Sequence, residues 1–304
     1  MTDKVIGKRL KRYWDDIDFK NLSPYNMNNL DDLNKISFFP NHMKYIKDMK
    51  EEAGYPRDQM MDWVTPTIHE SEKQHWSSDP WSYRINRYGF RDVWKMKPGR
   101  KNIGFFGCSM TFGEGIETSK LWTTIIAKKL KMNPFNFGIG GSGCARVART
   151  FACVQQVLDL DYAVVLLPHP YRLEYAVKES GRNNALINKN FLPGQKDPLF
   201  IDLHKAIYNI MNDNMAGLEV LRSAITITES AKAKGTKVIF ASWDQFAWTV
   251  LDQANVPNLC TYVYKMLFKE KNDYARDGQH PGPIANEEWA NTLYEWIKET
   301  KFTV

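Results

Sequence analysis

A short apolar run that leads into a glycine-rich turn, at residues 102–115, constrains the fold of this chain more than any other segment. The run ends at Phe106, and three glycines punctuate the turn that follows it. A segment with helical spacing comes next, with apolar residues at Leu121, Trp122, Ile125, Ile126 and Leu130. This order predicts a buried strand, a tight turn and a crossover helix, the repeating unit of α/β proteins.

Ser109 lies in this turn, where the predicted strand ends. Open α/β sheets bind their ligands at the carboxyl ends of strands, and a glycine such as Gly107 leaves room beside a side chain. A serine hydroxyl close to free backbone N–H groups suits a nucleophile whose developing oxyanion needs donors. A glycine-rich turn with a helix-capping serine accounts for the same residues. This segment alone leaves both interpretations open.

The composition is that of a folded globular protein. Of the 304 residues, 43% are hydrophobic and 25% are charged, which is ordinary for soluble domains. Ten Trp, fourteen Tyr and sixteen Phe argue against disorder. The length allows one large core or two small ones. The net charge of +6 is too small to imply a nucleic-acid partner, and we expect none.

The sequence contains no pattern typical of a membrane span or an export signal. No stretch approaches the roughly 20 apolar residues of a transmembrane helix, and the amino terminus has a basic part without an apolar core. We therefore expect a cytoplasmic protein or a component of an assembled particle. The cysteines show no metal-finger spacing and stand at Cys108, Cys144, Cys153 and Cys260. They are predicted to be free thiols in a reducing compartment, and no metal is expected.

From residue 101 onward, predicted strands alternate with predicted helices. Strands are expected at 101–106, 134–137, 162–167, 237–241 and 259–263. The unbroken apolar run at 162–167 is typical of a strand that is buried on both faces of a parallel sheet. One helix is expected at about 145–158, and a closing helix is expected to start near Pro283. This alternation predicts a parallel sheet covered by helices on both faces.

Two regions do not follow this alternation. Residues 1–98 are predicted to be an irregular extension packed on the domain at 99–304, and they offer a surface for oligomers or a larger assembly. Its predicted anchors are Trp63, Trp76, Trp81 and Trp94. The segment at about 172–234 is longer than one crossover needs, and helices are predicted in its second part. Beside the strand ends, this insertion would form a lid, a structural brace or an oligomer contact.

A second chemical signal is the pair Asp277 and His280, three residues apart just before the predicted closing helix. A nucleophilic serine needs a base, and a histidine base needs a carboxylate that holds its tautomer and supports the imidazolium. From one loop, both side chains can reach a serine at a strand end. A solvated loop histidine is the alternative interpretation of His280.

In their order and spacing, four segments of the chain resemble the SGNH (GDSL-like) hydrolases. The segments are residues 86–92, 107–113, 136–142 and 277–280, and the resemblance covers roughly residues 85–300. It implies a flavodoxin-like three-layer α/β/α fold. It also implies an esterase or acyl-hydrolase activity that needs no cofactor.

The same resemblance implies roles for individual residues. Ser109 matches the nucleophile, His280 the base, and Asp277 the acid that orients the base. Gly141 matches the glycine whose backbone N–H joins that of Ser109 in the oxyanion hole.

The chain departs from the family at its third block, where Gly-x-Asn-Asp is expected and residues 167–172 read Leu-Pro-His-Pro-Tyr-Arg. The family's Asn donates to the oxyanion, and loss of one such donor typically costs about a hundred- to thousandfold in turnover. His169 or Arg172 could supply a donor, and Arg172 could also bind an anionic group of the substrate. A packed turn residue between two prolines is the alternative for His169. Cys108 replaces a further family Asp, and its side chain is expected to point away from that of Ser109.

These features predict a serine esterase that removes acetyl or another small acyl group from a carbohydrate or a similar ester. An O-acyltransferase would use the same residues, and an SGNH-like binding or structural module with weakened catalysis would explain the missing Asn. The Gly-x-Gly-x-x-Gly letters at residues 138–143 fit a dinucleotide site, but the acid that should end the next strand is replaced by Pro168 and His169.

Overall fold

Parallel strands at the centre of the molecule position the segments that the motifs indicate. The structure is a computed structural model that describes residues 23–36, 86, 88–91, 94, 96–175, 185–187, 212–261, 273–275 and 280–300. Its strands are β1 (Asn102–Gly107), β2 (Asn133–Gly138), β3 (Tyr162–Leu167), β4 (Leu173–Tyr175), β5 (Ala185–Ile187) and β6 (Lys237–Ser242). Its α-helices are α1 (Ser109–Phe112), α2 (Trp122–Leu130), α3 (Cys144–Val157), α4 (Asp213–Lys232), α5 (Gln245–Gln253) and α6 (Pro283–Glu299). Short 3₁₀ helices lie at Pro24–Asn26, Leu30–Lys35 and Thr118–Lys120.

The central sheet has the strand order β2-β1-β3-β6, and every neighbouring pair runs parallel. Phe106 of β1 pairs with Phe137 on one side and with Val165 on the other. At the outer edge of β6, Leu259 forms a parallel bridge with Phe240. The end of the strand predicted there, from residue 262 onward, lies outside the described residues. This strand order is that of flavodoxin-like folds, whose ligands bind near the carboxyl ends of β1 and β3.

Helices cover both faces of this sheet. Because side chains alternate along a strand, Phe106 and Val165 enter a core formed with α3, α4 and α5. Their neighbours Phe105 and Val164 enter a second core formed with α2 and α6. The predicted three-layer α/β/α fold class is confirmed. No helix in the described part of the chain is long and apolar enough to cross a membrane.

The predicted insertion has secondary structure of its own in the parts that are described. Strands β4 and β5 form a two-stranded antiparallel sheet, which the aperiodic sequence between 171 and 199 did not predict. Helix α4 occupies the second part, where helix was predicted, and it contributes Val220 to the core on the α3 face. Residues 176–184 and 188–211 lie outside the described residues.

Described parts of the amino-terminal region belong to the same core as α3. Met27, Leu33 and Ile36 are buried in it. Trp94, one of the predicted anchors, packs on two phenylalanines of β2, with ring centroids 5.2 Å apart in each case. The other predicted anchors, Trp63, Trp76 and Trp81, lie outside the described residues. The boundary at residue 98 between an extension and a main domain stays a prediction.

Candidate active site

The turn after β1, which we call the nucleophile turn (residues 107–116), carries Ser109 at the first position of α1. A Cβ on Gly107 would overlap the hydroxyl of Thr111 and would lie 2.8 Å from the carbonyl oxygen of Leu166. A Cβ on Gly138 would overlap the backbone of α1. Both glycines are therefore required by close approach of neighbouring chain segments, which holds the turn tightly against β2 and β3.

A buried arginine holds the far end of the nucleophile turn. Arg91 has 0% exposure, and its Nη1 donates to Phe112 O at 2.8 Å. Its guanidinium also donates to the carbonyl oxygens of Gly113 and Ile116. A buried cation is tolerated where its donors find acceptors, and carbonyls at a helix end are electronegative. The segment at 86–92, one of those that resemble the SGNH family, thus helps to shape the turn around Ser109.

His280 approaches this turn from the loop that precedes α6. The Ala275 N–H donates to His280 O at 2.7 Å, and the Gly282 N–H donates to Asp273 O at 2.9 Å. Asp273 also accepts the Ala285 N–H at 2.6 Å, which satisfies a free donor at the start of α6. Backbone hydrogen bonds therefore hold His280 and the following Gly282 against residues 273–275.

The structure brings Ser109 and His280 into contact, although they are 171 positions apart in the chain. His280 Nε2 lies 2.7 Å from Ser109 Oγ. Ser109 is 6% exposed, and the side chain of His280 is 15% exposed. This distance allows a neutral imidazole with an unprotonated Nε2 to accept the serine proton, which is the geometry of an activated nucleophile. Asp277 lies outside the described residues, so its role as the orienting acid stays a prediction.

A carboxylate that no motif indicated lies beside this pair. Glu114 Oε2 is 3.6 Å from His280 Nε2, and the backbone N–H of Glu114 donates to Ser109 O at 3.2 Å. The only signal in the sequence is its place between two glycines of the turn. A single acidic residue in a glycine-rich loop has no periodicity or spacing of its own, so sequence reasoning passes over it.

The loop after β2, which contains the predicted oxyanion glycine, is tied to the nucleophile turn. The Ile139 N–H donates to Gly107 O at 3.1 Å, and Asn136 Nδ2 donates to Thr111 O at 2.8 Å. Gly141 has φ of 71°, a conformation that favours glycine. Two hydrogen bonds therefore hold this loop beside the turn that carries the serine.

The two candidates after β3 have different surroundings. His169 Nδ1 accepts the Tyr171 N–H at 3.4 Å, and its Nε2 lies 3.8 Å from Asp244 Oδ2. Arg172 Nη1 instead donates to Ser142 O at 3.4 Å. Arg172 thus lies beside the loop of the predicted oxyanion glycine, whereas His169 faces the residues that follow β6.

Thiols close to the site are protected from reaction. Cys108 is fully buried, with its Sγ 3.9 Å from Ser109 Oγ. Burial raises the pKa of the Cys144 thiol, which keeps it protonated. All four cysteines are free, as predicted. Within the described part of the chain, no group of three His, Cys, Asp or Glu side chains is arranged to hold a metal ion.

Comparison with known proteins gives matches among solved structures alone. No family model matches the chain, and no curated protein does. The match with TesA covers 65% of this chain and 98% of TesA, with 15% identity and a TM-score of 0.42. A lipolytic G-D-S-L family protein from Veillonella parvula covers 66% over 100% of its length, at 13% identity and a TM-score of 0.41. The acetyl xylan esterase Est2A from Butyrivibrio proteoclasticus covers 68% over 66% of its length, at 12% identity and a TM-score of 0.41.

The predicted resemblance to the SGNH hydrolases is confirmed. The structures that this chain resembles are esterases and G-D-S-L proteins. At these identities and TM-scores the matches show nothing about the chemistry of the site, which rests on its geometry alone.

Proposed function

We propose that this protein is a serine esterase in which Ser109 is the nucleophile, His280 the general base and Asp277 the acid that orients the imidazole. The observation that carries the proposal is the 2.7 Å contact between His280 Nε2 and Ser109 Oγ. The contact lies at the carboxyl end of β1, where folds with this strand order bind their ligands. Ser109 and His280 are 171 positions apart in the chain, and each lies on a turn that contains glycines. Two surface residues without a shared role would not be expected to lie in contact at this edge of the sheet.

In the proposed acylation step, Ser109 Oγ bonds to the ester carbonyl carbon while its proton moves to His280 Nε2. The carbonyl electrons move onto oxygen and form an oxyanion. When the oxyanion collapses, the bond to the alcohol oxygen breaks, and the imidazolium returns its proton to the leaving alkoxide. Water then gives a proton to His280 as its oxygen adds to the acyl carbon, and the acid leaves as Ser109 regains its proton.

We assign the oxyanion hole to the backbone N–H groups of Ser109 and Gly141. The hydrogen bonds between the loop after β2 and the nucleophile turn support this pairing. His169 is the alternative third donor, and to serve as one its Nε2 would have to turn away from Asp244, 3.8 Å distant. A site with two donors is expected to be about a hundred- to thousandfold slower than a site with three.

The proposed substrate is an acetyl or other small acyl ester of a carbohydrate or a similar alcohol. The solved structures that resemble this chain include one named as an acetyl xylan esterase, which supports this substrate class. Arg172 is proposed to bind an anionic group of the substrate. Among the described residues no carboxylate pairs with it, and its described polar contact is the carbonyl of Ser142.

The proposal is tested by labelling with a fluorophosphonate probe, which reacts with activated serines. We expect the folded wild-type protein to be labelled, and Ser109→Ala and His280→Ala to lose the label. Ser119→Ala, which removes an exposed hydroxyl from the neighbouring loop, is the matched control and should be labelled like the wild type. Labelling that survives in a folded Ser109→Ala protein would overturn the assignment of the nucleophile.

A second candidate is an SGNH-like binding or structural module with weakened catalysis. The contacts of His169 with Tyr171 and Asp244 favour it, because they engage the residue that would have to replace the missing Asn. A wild-type protein that is folded and stays unlabelled would support this function over the esterase. An O-acyltransferase would be labelled but would move the acyl group to an added sugar faster than to water.

A further inference from the structure

The carboxylate of Glu114 lies beside the nitrogen of His280 that would protonate a leaving alcohol. Its Oε2 lies 3.6 Å from Nε2, the same nitrogen that is 2.7 Å from Ser109 Oγ. The side chain of Glu114 is 35% exposed, against 15% for His280. The carboxylate is therefore more accessible to solvent than the imidazole beside it.

The backbone around Glu114 is held in place before any substrate binds. Its N–H donates to Ser109 O at 3.2 Å. The carbonyls of Gly113 and Ile116, on either side of it in the chain, accept hydrogen bonds from the buried guanidinium of Arg91. Ile116 is itself 1% exposed. The position of this carboxylate is thus coupled to that of the nucleophile, which is how a preorganised recognition group is built.

The chemistry of ester cleavage determines what this carboxylate would meet. For His280 to protonate the leaving alkoxide, the ester oxygen must come within about 3 Å of Nε2. A carboxylate 3.6 Å from the same nitrogen then lies beside the first carbons of the alcohol. A hydroxyl on the second carbon of the alcohol, next to the carbon that bears the ester oxygen, can donate to it in a charge-assisted hydrogen bond. A plain alkyl chain offers no donor and removes water from the carboxylate, which is unfavourable.

We propose that Glu114 is a specificity-determining residue that recognises a hydrogen-bond donor on the leaving alcohol, carried by the carbon next to the one that bears the ester oxygen. The inference rests on the proposed esterase function. It assigns to Glu114 the selection of esters of vicinal diols and polyols over esters of simple alkanols. A carboxylate that acted solely by supporting the imidazolium would affect both kinds of ester alike, so the ratio of the two rates separates the roles.

The test compares 2-hydroxyethyl acetate with propyl acetate, two esters of similar size that differ by a hydroxyl in place of a methyl group. The ratio of their kcat/KM values is measured in the wild type and in variants at Glu114. In Glu114→Leu we expect this ratio to fall about tenfold, the usual effect of losing a hydrogen bond to a charged group. In Glu114→Gln we expect a fall of about threefold, because the amide oxygen still accepts but carries no charge.

Glu117→Gln is the matched control. Glu117 is an acidic residue of the same loop that pairs with Lys120 at 3.2 Å, away from the catalytic pair. Its ratio should equal that of the wild type. Both kcat/KM values of a ratio are measured on the same preparation, so the ratio does not depend on the fraction of the variant that is folded. If Glu114→Leu does not fold, Glu114→Gln provides the test.

The outcomes distinguish this inference from the function on which it rests. If the wild type hydrolyses phenyl acetate but its preference for the hydroxyethyl ester is unchanged in both Glu114 variants, the inference is wrong and the esterase stands. If choline acetate, which has a positive charge but no O–H donor on its alcohol, depends on Glu114 as strongly as the hydroxyethyl ester does, the residue recognises charge and the inference is wrong. If the wild type hydrolyses no ester and Ser109 stays unlabelled, both fall together.

Discussion

Two loops at the same edge of the sheet are built in different ways. The nucleophile turn after β1 is held by backbone contacts, since Gly107 and Gly138 have no room for a side chain and Arg91 binds carbonyl oxygens. In the segment after β3, side chains make several of the described contacts, among them His169 and Arg172, which are only half-buried. This difference is consistent with a sequence that matches the SGNH pattern at the serine turn but lacks the Asn of the third block. A loop formed by side-chain contacts can exchange residues without disturbing the sheet.

The largest expected effect on turnover comes from substituting Ser109 or His280, the proposed catalytic pair at the nucleophile turn. Ser109→Ala should lower kcat for phenyl acetate by about 10⁴-fold or more, because the nucleophile is removed. His280→Ala should have a comparable effect, since the two residues act as a unit. Steady-state kinetics and circular dichroism together check that turnover is lost while the fold remains. If either variant lost little activity, the nucleophile turn would not be part of the catalytic site.

The next effect concerns the arginine beneath the turn. Arg91→Met should lower the free energy of unfolding by about 3 kcal/mol, because three buried carbonyl oxygens lose their donors. Urea denaturation followed by tryptophan fluorescence measures it. Arg222→Met is the control, since Arg222 is a surface residue paired with Glu219 on α4, and its effect should stay within about 0.5 kcal/mol. Equal effects of the two substitutions would show that Arg91 does not support the turn.

A smaller effect, an increase in kcat, is expected from a substitution in the segment after β3. His169→Asn restores the amide of the family pattern and should raise kcat about tenfold, less than the about hundred- to thousandfold effect of a fully placed oxyanion donor. His169→Ala should change kcat by less than about threefold, because the described contacts of His169 are with Tyr171 and Asp244. A hundredfold loss in His169→Ala would instead identify His169 as a donor to the oxyanion.

The smallest effect is expected at Arg172. Arg172→Met should raise KM about threefold to tenfold for an acetylated sugar acid and leave KM for the matching neutral sugar acetate unchanged, since a partly exposed cation contributes a modest attraction. The difference should shrink at high salt. An equal rise in KM for both substrates would mean that Arg172 supports the loop after β2 through Ser142 O rather than binding an anion.

Much of the fold was accessible from local patterns. The predicted strands at 101–106, 134–137, 162–167 and 237–241 agree with β1, β2, β3 and β6 to within about one residue at each end. Each is a short apolar run bounded by turn residues, and such a run reports burial directly. Helix α5 and the pair β4 and β5 were not predicted. The two three-residue strands are too short for periodicity to separate them from loop.

By itself, the sequence determined the strand-and-helix alternation and singled out Ser109 and His280 as candidates for chemistry. Tertiary structure alone decided that their side chains meet at 2.7 Å and that Glu114 lies 3.6 Å from the same nitrogen. It also decided that Arg91 binds the carbonyls of the nucleophile turn. The physical reason is the separation along the chain over which each kind of interaction acts. Burial and turn chemistry leave periodic traces within a few residues, whereas contacts between distant residues depend on how the strands pair and which loops that pairing brings to one edge of the sheet.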